Sequence, residues 1–131
     1  FGSYEGMRTG GEEKDAQSEA FQRFFTDTAH YIPPQDGETV PQLYERTGDF
    51  LAEICAKEEL QDKSILVSTH GAAMTALLNR IRGNLSVSEF WRDEVPPNCS
   101  VTEVEVRDGK PRIIREGVIY YKEKVKKWKT V

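Results

Sequence analysis

His70 is the residue whose type and neighbours most directly suggest chemistry. It follows the apolar run Ile65-Leu66-Val67 and precedes Gly71 and a stretch rich in helix formers, Ala72 to Leu78. A strand, a tight turn and a helix in that order put an imidazole at the carboxyl end of a sheet, where open α/β folds hold ligands. The first amides of the following helix point the same way and favour an anion such as phosphate. Gly71 lets the backbone come close to that anion. Histidine titrates near neutrality and, once charged, donates to a phosphoryl oxygen. The plainer alternative is a ring that only satisfies a turn carbonyl. The second histidine, His30, lies beside Tyr31 at a helix end, where a cation complements the helix dipole. Cys55 and Cys99 sit in apolar segments and read as buried free thiols in a reducing compartment, not as a disulfide or metal framework.

The elements that must position these residues follow from periodicity and caps. Gly2, Gly6, Gly10 and Gly11 punctuate an opening surface loop. Ala16, Ala20, Phe21, Phe24 and Phe25 recur at helical spacing behind Asp15, and the pattern stops before Pro33-Pro34. Thr39 with Gln42 fits a capping box, with Pro41 in the first turn. Val40, Leu43, Tyr44, Thr47, Leu51, Ile54 and Cys55 then form one stripe of a helix expected to end near Leu60. Ile65-Leu66-Val67 is expected to be a strand buried on both faces of a parallel sheet. Gly83 is placed to cap the helix that follows His70.

Ser86 and Glu89 form a second capping-box pattern before Phe90-Trp91, which predicts a short helix ending at Pro96-Pro97. Cys99 to Val106 is β-rich, Asp108-Gly109 suits a two-residue hairpin, and Ile113-Ile114 lie on the return. Pro111 marks that return as an edge strand. Tyr121, Val125 and Trp128 among Lys122, Lys124, Lys126, Lys127 and Lys129 predict a C-terminal helix with a solvated basic face.

Four of these segments, taken together, resemble one family. Val67-Ser68-Thr69-His70-Gly71 is similar to the second histidine motif of the histidine phosphatase superfamily, the cofactor-independent phosphatases and phosphoglycerate mutases. Phe1-Gly2-Ser3-Tyr4-Glu5-Gly6 resembles its Phe-Gly-x-aromatic-Glu-Gly segment. Gly37-Glu38-Thr39 with Arg46 resembles its Gly-Glu-Ser segment and trailing Arg, with Thr in place of Ser. Asn98-Cys99-Ser100-Val101 resembles the Asn that leads into the strand after the His helix. The segments keep the family's order and cover nearly the whole chain.

The resemblance implies a phosphohistidine mechanism without metal or cofactor, in which a His within Arg-His-Gly attacks phosphorus and is later freed by water. No Arg-His-Gly occurs in the 131 residues, and His70 follows Thr69. The family's acidic proton donor normally precedes the Phe-Gly pair. Both are therefore expected upstream of Phe1, together with a central strand whose loss would bare apolar surface. His70 is expected to stabilise the transferring phosphoryl group, Gly71 and Asn98 to bind phosphate, and Tyr4, Glu5, Glu38 and Arg46 to contact substrate. The implied fold is a three-layer α/β/α domain over residues 1–131, with a mainly parallel sheet and an antiparallel hairpin near its edge.

The totals narrow the partners. A 131-residue chain with 37% hydrophobic residues supports one modest core. A net charge of -4 argues against nucleic acid, and no apolar run approaches the roughly 20 residues needed to span a bilayer. With no signal peptide pattern at its start, the expected setting is the cytoplasm. The expected partner is a small phosphorylated metabolite, and an unpaired sheet edge would invite a homo-oligomer. A phosphatase is the leading expectation. A phosphoglycerate mutase, a non-catalytic module that only binds phosphate, and a lysine-rich tail on an anionic surface are the alternatives.

Overall fold

The structure, a computed structural model, describes residues 1–9, 15–92 and 94–122. Its helices are α1 (Ser18–Thr26), α2 (Val40–Ala56) and α3 (Gly71–Arg82), followed by strands β1 (Val101–Arg107) and β2 (Lys110–Val118). Single 3-10 turns at Gly2–Tyr4, Thr28–His30 and Glu58–Leu60 join them.

Helix α2 begins where its cap dictates. The Thr39 hydroxyl accepts from the Gln42 amide at 3.2 Å, and the Gln42 side chain accepts from the Thr39 amide at 2.8 Å. The helix ends at Ala56, four residues before Leu60, because the chain tightens into the Glu58–Leu60 turn. Its buried face carries Val40, Leu43, Tyr44, Thr47 and Cys55. The Thr47 hydroxyl is satisfied by the Leu43 carbonyl at 2.7 Å. That face packs on α3 through Ala76 and around Phe24 and Phe90, which complete the core. Burying each of those two rings contributes about 2 kcal/mol.

Helix α1 starts at Ser18, later than its periodicity suggests, and Gln17 provides no side-chain cap. Asp15 is engaged elsewhere: its carboxylate accepts from the Arg8 amide at 2.7 Å. An aromatic cluster holds α1 down, with Phe24 5.1 Å from Tyr31 and 5.3 Å from Trp91 between ring centroids. The Trp91 indole donates to the Phe24 carbonyl at 2.7 Å. Helix α3 ends as expected at Gly83, whose φ of 76° is left-handed and suits a residue without a Cβ.

Strands β1 and β2 pair antiparallel around Asp108-Gly109, both at positive φ (52° and 72°), the geometry of a type I′ hairpin. Glu105 faces Arg112 and Glu103 faces Arg115, each joined by charged hydrogen bonds. Arg82 at the end of α3 pairs with Glu116 on β2. Among the described residues β2 pairs with β1 alone, which leaves its other edge unpaired, in keeping with Pro111.

Four expectations need correction. Ile65-Leu66-Val67 forms no strand among the described residues and is not buried, with exposures of 51%, 91% and 41%. An apolar run becomes a strand only where neighbours accept its backbone bonds, and the one sheet described here is the β1–β2 hairpin. The mainly parallel sheet is accordingly not seen. Ser86 to Trp91 forms successive turns and no helix. The Ser86 hydroxyl does accept from the Glu89 amide at 3.3 Å, but the Ser86 amide is taken by the Asn84 side chain, so half of the capping box is lost. Cys99 is exposed, at a turn position with φ of 55°, while Cys55 is buried; both are free thiols. The predicted C-terminal helix falls on residues 123–131, outside the described residues.

Candidate active site

Helix α3 places His70. The residue is the N-cap, with extended backbone (φ −112°, ψ 160°), and its carbonyl accepts from the Met74 amide at 2.9 Å to start the helix. Its side chain caps nothing and is exposed to solvent. The first turn of α3 carries no acidic residue of its own to offset the positive end of the helix dipole. Gly71 is not at positive φ, and a Cβ there would meet Val95 Cγ1 at an ordinary 3.6 Å. What glycine leaves open is the approach to its amide. The same contact shows that the segment before β1 runs beside the start of α3. Three residues on, Asn98 stands exposed in a turn, its carbonyl accepting from the Tyr121 hydroxyl at 3.0 Å.

A second group gathers at the start of α2. Arg46 donates from Nε and Nη2 to the two carboxylate oxygens of Glu38, at 2.7 and 2.8 Å. These bonds hold the Glu38 carboxyl below the usual carboxylate range and the Arg46 guanidinium above its own. Both line an open cavity of about 750 Å³, together with Gly2, Asp36 and Phe50. His70, Gly71 and Asn98 do not line it. Among the described residues the cavity and the head of α3 therefore lie apart.

Tyr4 is buried, with its ring 5.8 Å from Phe21, which gives it a packing role. Glu5 is exposed at the end of the first 3-10 turn, its amide bonded to the Gly2 carbonyl at 2.9 Å. His30 closes the Thr28–His30 turn and pairs with Asp27 at 2.8 Å. Burial, then the nearby Tyr4, push the Tyr31 hydroxyl up to about 12.

Asp36 escaped the sequence reading. Its carboxylate accepts from the Ser3 amide at 3.0 Å, which lowers its pKa. Gly2 sits at φ 58° against it, with Asp36 Oδ1 2.6 Å from where a Cβ would stand. The only sequence signal was an Asp-Gly turn after Pro33-Pro34.

The sequence profile of the histidine phosphatase superfamily, branch 1, matches residues 1–118. The chain belongs to that superfamily. Among curated relatives, a protein of Arabidopsis thaliana described as a metal-independent phosphoserine phosphatase is 31% identical over 99 residues. The match takes in 76% of this chain and 38% of that protein. Among solved structures, Bacillus stearothermophilus YhfR superposes with a TM-score of 0.67 at 23% identity, over 79% of this chain and 50% of that one. That superposition shows a shared fold. The chain spans about two fifths of the Arabidopsis relative and half of YhfR.

Proposed function

We propose that this chain is the part of a metal-independent phosphatase that carries the second histidine, acting on a small phosphomonoester. The observation that carries the reading is the pairing of family membership with His70 as the exposed N-cap of α3. In its charged form the imidazole donates to a non-bridging phosphoryl oxygen. The Gly71 and Ala72 amides and the Asn98 side chain add neutral donors, and Arg46 holds the far end of the substrate. Donors fixed in advance where negative charge develops are each worth roughly 3 kcal/mol of barrier.

The nucleophile is a further histidine in Arg-His-Gly context, outside these 131 residues. Its nitrogen attacks phosphorus, the alcohol leaves with a proton from an acidic side chain, and water then cleaves the phosphoramidate. The same reading carries the three-layer α/β/α arrangement with a mainly parallel sheet. The Arabidopsis relative makes O-phosphoserine the substrate to try first.

The test is rapid quench of the full-length protein turning over O-phosphoserine or an aryl phosphate in the presence of a chelator. A phosphoenzyme that is labile to acid and stable to alkali is the expected result. Turnover without such a species would refute the phosphohistidine route. A second reading, a module that binds phosphate without hydrolysis, rests on the absence of Arg-His-Gly within the chain. It predicts heat of phosphate binding by calorimetry with no turnover.

A further inference from the structure

The placement of His70 poses a physical problem that the contact between α2 and α3 answers. Residues 61–70, which lead into His70, are exposed throughout, and none belongs to a strand among the described residues. Among the described residues the imidazole is therefore held through α3, and α3 is seated on α2.

Two neighbouring residues in the last turns of α3 fix that seat. Asn79 is 1% exposed, and its amide donates to the Tyr44 hydroxyl at 3.0 Å and to the Phe90 carbonyl at 2.8 Å. Arg80 reaches across to α2, where Nη2 donates to the Tyr44 carbonyl at 3.0 Å. Its guanidinium lies in a notch over Gly48, and a Cβ on that glycine would stand 2.6 Å from Cζ.

Stability alone does not account for this contact. A glycine in mid-helix is a destabilising choice, because it frees the unfolded backbone. The Arg80 Nε is buried without a hydrogen-bond partner among the described residues, which also costs free energy. Both features are explained if the guanidinium acts as a key that allows one axial setting of α3 on α2.

We propose that Arg80, seated in the Gly48 notch, is a positioning residue that sets the place of His70 relative to Arg46. The proposal rests on His70 being the phosphoryl donor. Arg46 and Gly48 lie on α2, and His70 and Arg80 lie at opposite ends of α3. Ten residues of helix span about 15 Å, and a packed helix carries a slide at one end undiminished to the other. Displacement of a catalytic group by 1 Å costs on the order of 100-fold.

The test removes both unfavourable features at once. In the full-length protein, Gly48→Ala with Arg80→Ala fills the notch with a better helix former and deletes the unpaired Nε. The double variant is expected to melt at or near the wild-type temperature. Its His70 ring nitrogen resonances are expected to shift while those of His30, paired with Asp27 on another turn, stay in place as the control. Its dissociation constant for orthovanadate is expected to rise at least ~10-fold. Arg80→Lys, which keeps a donor for the Tyr44 carbonyl, recovers part of that loss, and it decides the matter should the double variant not fold. A well-folded double variant with unmoved His70 signals and unchanged vanadate affinity overturns the proposal. If the wild-type protein binds no vanadate, the phosphatase reading falls, and the His70 resonances alone judge the lock.

Discussion

The Arg46 guanidinium presents one edge, Nε and Nη2, to the two carboxylate oxygens of Glu38 at 2.7 and 2.8 Å, tying the loop before α2 to the second turn of that helix. The guanidinium is thereby fixed in direction while Arg46 stays exposed at the cavity. A pair of this kind defines geometry more than it adds stability.

Glu38→Gln is accordingly expected to cost only about 0.5 kcal/mol at neutral pH, the range for solvent-screened pairs. Arg46 holds the Glu38 carboxyl below its ordinary value. The pair's contribution is therefore fully present above about pH 4.3 and disappears as pH falls through the lower folded value. Melting temperatures of wild type and Glu38→Gln are expected to converge between pH 5 and pH 3 or below, on the order of the carboxylate range. A gap that widened on acidification would contradict the assignment.

Asn79 holds Tyr44 and the Phe90 carbonyl together in the core, and the Tyr44 hydroxyl donates onward to the Ser86 carbonyl at 3.1 Å. Asn79→Leu leaves a buried carbonyl without its donor and is expected to cost about 2 kcal/mol in urea unfolding. Tyr44→Phe is expected to cost about 1 kcal/mol. The double variant should lose less than the sum, because the two residues share one bond. Strict additivity would show that the network is not coupled.

Leu66 is 91% exposed between Ile65 and Val67, an apolar run with no strand beside it among the described residues. Such surface promotes association. Sedimentation of the 131-residue chain is expected to show concentration-dependent self-association that Leu66→Lys reduces, with unfolding free energy changed by no more than ~0.5 kcal/mol. A wild-type chain that stays monomeric at every concentration would remove Leu66 as a sticky surface.

Features decided within a few residues were legible in the sequence. The Thr39–Gln42 capping box, the Gly83 cap and the Asp108-Gly109 turn each depend on side chains or φ values local to them, and each stands where expected. The family was legible for a similar reason, since the order of its segments is a property of the chain. Features that depend on distant neighbours were not. Ile65-Leu66-Val67 has strand composition but no strand beside it, and the Ser86–Glu89 cap loses to the Asn84 side chain. Nothing in the composition around Gly48 announces that Arg80, 32 positions later, will lie over it. Tyr4 reads equally as a substrate contact or as packing until its burial against Phe21 is seen.

The central claim, that His70 stabilises a transferring phosphoryl group, is tested most directly by the kcat/KM of the full-length protein for an aryl phosphate, with chelator present, before and after His70→Ala. The account predicts a fall of about 100- to 1,000-fold with the melting temperature unchanged, since the exposed ring caps nothing and packs on nothing that α3 needs. Equal kcat/KM for the two proteins would contradict it.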